Sequence, residues 1–330
     1  MTSGALGKRF IPAWWLPGGH SQTLWRKYSP PDSIEQTRQR VELKDGDFID
    51  LDWVNVIDPI GSENKQIVLI LHGLCGCSSS PYIVALQTVL AANNILSAAI
   101  NFRGCSGEIN RLAKAYHSGI SEDVNEVFAE MLKLHPENNF VFVGFSLGAN
   151  VLLKYLGECQ GHPRIKKAVA VSTPFSLSCC SQAMLKGISQ FYGRYFVRRL
   201  LRDFKLKQQH FESIGDSEQQ LRISKLGDLT NISTIWEFDD KVTAPLHGFR
   251  NAEDYYSQCS SLGFIDAITT DTLLIQSRND PLVPAISIPE RELLGSNIEL
   301  LLSANGGHVG FISGSSNNWL EHRILNFIEA

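Results

Sequence analysis

The chain has 330 residues, of which 43% are hydrophobic and 19% charged, with a formal net charge of −4. This length is sufficient for one α/β domain with an insertion or for two domains. The small negative charge argues against nucleic acid as a partner. Because the N-terminus lacks a signal-peptide pattern and no apolar run reaches roughly 18 residues, we predict a cytoplasmic protein without a membrane-spanning segment.

Seven cysteines are scattered along the chain, and their odd number does not indicate a disulfide framework. Cys75 and Cys77 lie close together in a predicted loop, but no second pair accompanies them. Reduced thiols are typical of the cytosol. We therefore predict free cysteines, no metal site and no cofactor.

Residues 1–36 are predicted to form an irregular leader. Trp14 and Trp15 stand between Pro12 and Pro17 in this leader, and disordered tails are poor in aromatic residues. We therefore expect the leader to pack over the body of the protein. His20 is interpreted as a hydrogen-bonded loop residue, with a place near the functional site as the alternative.

The sequence predicts an antiparallel hairpin, formed by residues 41–43 and 48–56 around the turn Asp45-Gly46-Asp47. After it, near-continuous apolar strands alternate with helices, which is typical of a parallel sheet covered on both faces. The predicted strands are 66–71, 95–102, 140–143, 165–172, 272–276 and 298–302, and the helices are 81–93, 120–134, 149–156, 285–293 and 317–328. We predict an α/β fold with a mostly parallel central sheet.

The alternation of strands and helices stops between Thr173 and Asp271. An interruption of this length has structure of its own in most compact domains, so we predict an inserted cap at 174–270. The core is then divided into 37–173 and 271–330. One cap segment carries apolar residues on one helical face and a basic set on the other, comprising Arg194, Arg198, Arg202 and Lys205. We interpret it as a helix packed on the body, with transient membrane-surface contact as the alternative.

The segment Phe140–Leu153 is the most informative part of the chain. An apolar strand leads into Gly-Phe-Ser-Leu-Gly, and a helix follows, which is the context of a nucleophile elbow with Ser146 at its tip. Gly144 and Gly148 are needed because a β-carbon at either position would meet the neighbouring strand or helix. The N-terminus of the helix that follows Ser146 carries a partial positive charge, which stabilises a negatively charged intermediate.

A serine nucleophile needs a base, and the base needs an orienting acid. In hydrolases with this elbow the order along the chain is serine, then acid, then histidine. Asp280 follows the strand 272–276, and His308 follows the strand 298–302. Both positions are at the carboxyl ends of parallel strands, where catalytic groups of such sheets lie. We predict Ser146, His308 and Asp280 as nucleophile, base and orienting acid.

When the serine attacks an ester, the carbonyl oxygen becomes negatively charged, and this oxyanion requires hydrogen-bond donors. We predict the backbone amides of Leu147, after the nucleophile, and of Leu74, in the loop after the first parallel strand. Cys75 would line the same oxyanion-binding site. His72 and Gly73 are interpreted as supporting residues of this loop.

These motifs resemble the YheT-like branch of the α/β-hydrolase superfamily. The similarity covers nearly the whole chain, and its motifs begin at Gly19, His72, Arg103, Tyr116, Gly144, His247, Asp254 and Gly306. The resemblance implies a serine carboxylesterase or lipase-like hydrolase, with eukaryotic relatives acting on medium-chain fatty-acid esters and glycerolipids. Many eukaryotic members have an N-terminal membrane anchor, which we do not predict in this sequence; we therefore expect it to resemble the bacterial cytosolic members. His117 and His247 match family motifs without a role that we derive.

Three functions stay open at this point. The first is an esterase of lipid metabolism acting on short- or medium-chain acyl esters. The second is an ester synthase or transferase with the same three residues, distinguished by the products formed with added ethanol. The third is a non-catalytic binding protein with a hydrolase fold, in which Ser146 would not react with a fluorophosphonate. Oligomeric state is outside what the sequence indicates.

Overall fold

The computed structural model of the protein describes residues 9–54, 66–314 and 318–330. Within these ranges, eight strands form one sheet: β1 (Thr37–Glu42), β2 (Phe48–Val54), β3 (Gln66–Leu71), β4 (Leu96–Asn101), β5 (Asn139–Phe145), β6 (Ile165–Val171), β7 (Asp271–Ser277) and β8 (Ile298–Ser303). Their order across the sheet is β1-β2-β4-β3-β5-β6-β7-β8. β2 pairs antiparallel with β1 and β4, and the other neighbours pair parallel. The predicted mostly parallel sheet is confirmed.

The helices in chain order are α1 (Gly19–Tyr28), α2 (Pro81–Ala92), α3 (Ser121–Leu134), α4 (Leu147–Cys159), α5 (Leu177–Ala183), α6 (Ser189–Ile214), α7 (Ser217–Ser224), α8 (Ile235–Phe238), α9 (Ala244–His247), α10 (Ala252–Cys259) and α11 (Trp319–Glu329). A π-helical turn at Asp239–Thr243 joins α8 to α9. Short 3₁₀ turns lie at Ser261–Ala267, Ala285–Ser287 and Arg291–Leu293.

The strands are apolar throughout because both faces of the sheet are covered. In β3, Ile67 and Leu69 pack on one face with α3 and α4, whereas Val68 and Ile70 pack on the other with α2 and α11. Since successive side chains of a strand point to opposite faces, a strand covered twice cannot show polar alternation. Because β3, β5, β7 and β8 all run parallel in the sheet, their carboxyl ends lie on the same side of it.

Two predictions about local structure are wrong. The leader is not irregular over residues 19–28, because α1 forms there and packs on the body. Phe10, Ala13 and Leu16 are buried as well, whereas Trp14 is 87% exposed, so Trp14 is not among the residues through which the leader packs. The predicted helix at 285–293 is two separate 3₁₀ turns. The first eight residues of the leader, residues 55–56 of the predicted hairpin and residue 317 lie outside the described residues.

Helices α5–α10 occupy the chain between β6 and β7, where the cap is predicted. The long helix α6 packs through Val197, which is buried, and through Leu200 and Phe204, which are half-buried. The side chains of its basic residues, Arg194, Arg198, Arg202 and Lys205, are exposed. The division into leader, two core parts and cap at the stated bounds stays a prediction.

Arg103 connects the hairpin turn to α3. Its guanidinium donates to both carboxylate oxygens of Asp123 at 2.6 and 2.7 Å, and to Asp45 and Asp47 at 2.8 and 3.1 Å. Arg103 is 5% exposed. A buried cation with several carboxylate partners is a structural anchor, because loss of one partner leaves a buried charge uncompensated.

Candidate active site

Ser146 occupies the turn between β5, which ends at Phe145, and α4, which begins at Leu147. Its backbone has φ 53° and ψ −120°, a region that residues with a β-carbon rarely adopt. The Ser146 amide donates to the carbonyl of Val171 in β6 at 2.9 Å. A strained conformation of this kind persists only where neighbouring structure enforces it, and it is frequent at functional sites.

The glycines beside Ser146 are required by close backbone contacts. A β-carbon on Gly144 would lie 2.6 Å from Cα of Ala149. A β-carbon on Gly148 would lie 2.5 Å from the carbonyl oxygens of Leu71 and His72. Both distances are shorter than any normal carbon contact, so no other residue fits without movement of β3 or α4.

Asp280 and His308 lie in the loops after β7 and β8, and the structure brings them to Ser146. His308 Nε2 is 2.8 Å from Ser146 Oγ, and His308 Nδ1 is 2.8 Å from Asp280 Oδ2. The other oxygen of Asp280 accepts from the amides of Leu282 and Val283 at 2.8 and 3.0 Å. With its proton on Nδ1, the imidazole donates to the carboxylate and its Nε2 accepts from the serine hydroxyl.

The two backbone amides expected at the oxyanion position belong to the loop after β3 and to the start of α4. Leu147 is the first residue of α4, where amides have no partner within the helix. A β-carbon on Gly73 would lie 3.1 Å from Cβ of Ser146, so the loop that carries Leu74 runs directly beside the elbow. The arrangement fits two amide donors on one side of Ser146.

Two tyrosines hold the loop that carries Leu74. The amide of Gly73 donates to Tyr82 Oη at 2.9 Å, and the amide of Cys75 donates to Tyr116 Oη at 2.8 Å. Burial raises the pKa of Tyr82 to about 12, so its hydroxyl stays protonated. Tyr116 stands in one of the motifs of the resemblance, whereas no sequence pattern pointed to Tyr82.

His72 is fully buried below the same loop. Its Nε2 accepts from the amide of Phe102 at 3.2 Å, and its Nδ1 donates to the carbonyl of Gly73 at 2.8 Å. Burial lowers the pKa of His72 to about 4, so the ring is neutral. With both nitrogens bonded to backbone groups, His72 holds the loop in place.

Helix α1 packs on the loops after β7 and β8. Thr23 Oγ1 accepts from the His308 amide at 2.8 Å and donates to the Gly19 carbonyl at 2.7 Å. A β-carbon on Gly19 would lie 1.8 Å from the Asn279 carbonyl oxygen, and one on Gly307 would lie 2.3 Å from the Gly19 carbonyl oxygen. Only the resemblance marked this segment; residue spacing did not reveal its contact with His308.

Gln22 extends this contact along the loop after β8. It is fully buried, and its side chain donates to the carbonyls of Leu16 and Ile312 and accepts from the Ile312 amide at 2.7 Å. Val309 in this loop has φ 58°, which is uncommon for a β-branched residue, and its amide donates to Ser172 Oγ at 2.9 Å. Contacts from the leader and from Ser172, the residue after β6, therefore hold a loop conformation of high local energy.

His20 lies on α1 and joins the leader to the cap. Its Nδ1 is 3.1 Å from Tyr192 Oη, and the two rings stack with centroids 5.7 Å apart. The prediction of a hydrogen-bonded histidine is correct, whereas its predicted place in a loop is wrong because the residue is helical.

A cavity of about 390 Å³ lies between the core and the cap. Leu74, Cys75 and Leu147 line its core side. The other side is lined by charged cap residues, among them Arg199, Asp203 and Lys207, and by a larger apolar set, namely Leu200, Phe204, Ile235, Phe238, Val242 and Leu246. Small-molecule sites of roughly 300–1,000 Å³ with mostly apolar walls are common. Burial raises the pKa of the Cys75 thiol to about 12, so it is not a thiolate nucleophile.

His117 and His247 also line this cavity, and their ring centroids are 4.4 Å apart. Among residues 9–54, 66–314 and 318–330, no group of three or more His, Cys, Asp or Glu residues is arranged to hold a metal ion. Within the same ranges, no helix combines the length and apolar character that crossing a membrane requires. All seven cysteines are free.

The chain is similar to several known proteins. Residues 66–315 match the family described as alpha/beta hydrolase fold. YheT of Escherichia coli (strain K12), which is provisionally named as an esterase, is 36% identical over 323 residues, covering 97% of this chain and 92% of its own. The monoacylglycerol lipase of Saccharomyces cerevisiae is 29% identical over 270 residues, covering 80% of this chain and 59% of that protein.

The solved structure of the Pyrococcus furiosus esterase Pf2001 is similar in fold. Its TM-score is 0.58 at 17% identity, covering 91% of this chain and 96% of that one. At this identity the likeness shows the fold alone. Taken with the family match and the identity to YheT, it shows that the chain belongs to the α/β-hydrolase family, in the YheT-like branch whose relatives are named as esterases and lipases.

Proposed function

We propose that the protein is a serine carboxylesterase or lipase-like enzyme that hydrolyses short- to medium-chain acyl esters through an acyl-enzyme. The observation that carries the proposal is the hydrogen-bonded chain from Asp280 through His308 to Ser146, with both distances at 2.8 Å. The names of the E. coli and yeast relatives support an ester or lipid substrate.

Acylation begins with attack of Ser146 Oγ on the ester carbonyl carbon, while His308 Nε2 takes the hydroxyl proton. Asp280 keeps the proton of the neutral ring on Nδ1 and stabilises the imidazolium that forms. The carbonyl oxygen becomes negatively charged and accepts from the amides of Leu74 and Leu147. Each such donor contributes on the order of 10²–10³ to the rate. The carbon–oxygen bond then breaks, and His308 gives its proton to the leaving alcohol.

Deacylation repeats these steps with water. His308 removes a proton from water as its oxygen attacks the acyl-enzyme, and the proton then returns to Ser146 Oγ as the carboxylic acid leaves. Leu74 and Leu147 both line the cavity between core and cap, whose volume of about 390 Å³ has room for a short or medium acyl chain. Burial of methylene groups there favours binding by about 0.8 kcal/mol for each group.

The proposal also covers the cellular location of the protein and its contact with membranes. Seven free cysteines support the cytoplasm as its location, because reduced thiols are typical there. The exposed basic set of α6 lies on the same helix as Phe191 and Tyr195, which are 64% and 42% exposed. This composition supports transient contact with an anionic membrane surface. Sedimentation with phosphatidylserine vesicles at low salt, with no protein in the pellet, would exclude that contact.

The experiment that tests the function is the substitution Ser146→Ala. We expect hydrolysis of p-nitrophenyl butyrate to fall about 10⁴-fold or more, because the nucleophile is removed. We also expect a fluorophosphonate probe to label the wild-type protein and not this variant. Ser224→Ala is the matched control, since Ser224 is an exposed serine on the cap helix α7.

Wild-type hydrolysis in the Ser146→Ala variant would contradict the proposal. Product analysis with added ethanol separates the hydrolase from a transferase, since a transferase forms ethyl butyrate where a hydrolase forms butyrate. A panel of p-nitrophenyl esters of increasing chain length then measures the acyl preference.

A further inference from the structure

The wall of the cavity between core and cap carries cationic side chains, namely Arg103, Arg199, Arg202 and Lys207. Arg103 has the carboxylate partners described above. Arg202 donates through Nε and Nη2 to Asp203 at 2.9 and 2.7 Å. Lys207 Nζ donates to Asn110 Oδ1 at 2.5 Å and to backbone carbonyls. Three of these cations are therefore engaged within the chain.

Arg199 differs from the other three cations. Its Nη1 donates to Tyr195 Oη, one turn earlier on α6, at 3.1 Å. Its Nε is buried and has no hydrogen-bond partner among the described residues. A buried donor without an acceptor is unfavourable, so a ligand that supplies the acceptor gains affinity. The bond to Tyr195 uses Nη1 and leaves the edge formed by Nε and Nη2 for such a ligand.

The same edge of the guanidinium binds carboxylates elsewhere in this protein. In Arg38, Arg40 and Arg103, Nε and Nη2 each donate to one oxygen of a single carboxylate, with distances from 2.6 to 3.0 Å. Such paired bonds between a guanidinium and a carboxylate are strong and specific in geometry. The free edge of Arg199 therefore suits a carboxylate.

The acidic side chains of the cavity wall have other partners. Asp203 accepts from Arg202, as described above, and Glu108 accepts from Arg40 at 2.6 and 3.1 Å. Asp239 accepts from the hydroxyls of Tyr256 and Thr243, both at 2.7 Å. Within the described part of the chain, no carboxylate is hydrogen-bonded to Arg199. A carboxylate at its free edge would come from a ligand.

The position of Arg199 places this edge within reach of a substrate. Arg199 lines the same cavity as Leu74 and Leu147, whose amides are the proposed oxyanion donors. Its charge also acts on the neighbouring loop: burial raises the pKa of Cys75, and the positive charge of Arg199 is the largest influence that lowers it. A molecule that fills the cavity can therefore contact both Arg199 and the reacting centre.

We propose that Arg199 binds a carboxylate of the substrate, separate from the ester that is cleaved. The proposal rests on the function proposed above and names a substrate class, acyl esters that carry a free carboxylate. The carboxylate belongs either to the acyl half, as in half-esters of dicarboxylic acids, or to the alcohol half, as in esters of hydroxy acids. Without the guanidinium, this charge would enter a mostly apolar cavity uncompensated, which is unfavourable.

The test has one arm for each half of the substrate. Monoethyl suberate differs from ethyl octanoate by a carboxylate in place of the terminal methyl group, and O-octanoyl glycolate carries the carboxylate on the alcohol. Half-esters of shorter and longer dicarboxylic acids extend the first arm. In one arm we expect the wild-type enzyme to prefer the carboxylate ester over its neutral counterpart. The expected preference is about tenfold to 150-fold in kcat/KM, the range for hydrogen bonds to a charged group.

Substitutions of Arg199 test whether the guanidinium causes this preference. In Arg199→Met the preference is expected to disappear, mainly through a higher KM for the carboxylate ester, because the contact already exists in the bound ground state. Arg199→Lys keeps the charge without the edge of two donors, so part of the preference returns. Arg222→Met is the matched control, since Arg222 is exposed on α7, pairs with Glu218 and does not line the cavity.

A binding measurement separates this subsite from the catalytic proposal. Monoethyl suberate and O-octanoyl glycolate are titrated by calorimetry into Ser146→Ala and into Ser146→Ala combined with Arg199→Met. We expect Kd for the preferred ester to rise about tenfold to 150-fold in the double variant. If the wild-type protein cleaves no ester and is not labelled by a fluorophosphonate, the proposed function fails, and this titration still tests the subsite.

The proposal is overturned if neither arm shows a preference for the carboxylate ester at any chain length. It is also overturned if folded Arg199→Met keeps the full preference, or if the two titrated proteins bind the esters equally. If Arg199→Met does not fold, the wild-type comparison and Arg199→Lys decide, and an unchanged preference in Arg199→Lys contradicts binding through the edge of two donors.

Discussion

The contact between Thr23 and His308 leads to a prediction about catalysis from outside the hydrolase core. In Thr23→Val the His308 amide loses its acceptor, which is 2.8 Å away in the structure. Leaving a buried amide without a partner costs about 1–3 kcal/mol. If that cost applies only to the conformation in which His308 can take the serine proton, kcat falls about fivefold to 150-fold. KM changes little, because Thr23 does not line the cavity.

The assay is steady-state hydrolysis of p-nitrophenyl butyrate, with urea unfolding measured in parallel. Thr23→Ser keeps the hydroxyl and is expected to retain kcat within about twofold of wild type. The reasoning is refuted if Thr23→Val has wild-type kcat together with a lower free energy of unfolding. In that case α1 would stabilise the fold without positioning the imidazole.

Two further predictions concern the elbow and the response to acid. Gly148→Ala places a β-carbon 2.5 Å from two carbonyl oxygens; we expect loss of fluorophosphonate labelling and a loss of at least about 2 kcal/mol in urea unfolding. Gly263→Ala is its control, since a β-carbon there has nothing within 4 Å, and an equal loss in both variants would contradict the assignment to the elbow. His247 has a folded-state pKa of about 3 and an unfolded one near 6.5. Between these values the unfolded chain binds the extra proton, so stability falls as pH falls. From about pH 7 to pH 5.5, the wild-type protein should therefore lose about 1 kcal/mol more than His247→Phe, and equal losses would show that His247 is not held neutral.

The order of elements and the elbow follow from local sequence. A glycine-flanked serine between an apolar strand and a helix has few conformations open to it, and the clashes at Gly144 and Gly148 explain the residue choice directly. The positions of Asp280 and His308 also follow, because the carboxyl ends of parallel strands meet at one edge of a sheet. Their predicted roles still depend on the experiments above.

Local patterns failed where other parts of the chain or a proline determine the conformation. The segment 285–293 looked helical, but Pro289 in its interior removes an amide donor and clashes with the preceding turn, so only short 3₁₀ turns form. The helix α1 escaped prediction for the opposite reason. It buries the polar side chains of Gln22 and Arg26, which are stable there because distant carbonyls and carboxylates receive their hydrogen bonds.

The sequence by itself determined the sheet, the elbow and the chain order of the candidate catalytic residues, since these depend on periodicity and on short-range steric limits. Only the tertiary structure decided that Thr23 and Gln22 hold the loop of His308, and that Tyr82 and Tyr116 hold the loop of Leu74. Those contacts join residues far apart in the chain. Their partners are mostly backbone groups, which every residue has and which therefore leave no mark in the sequence pattern.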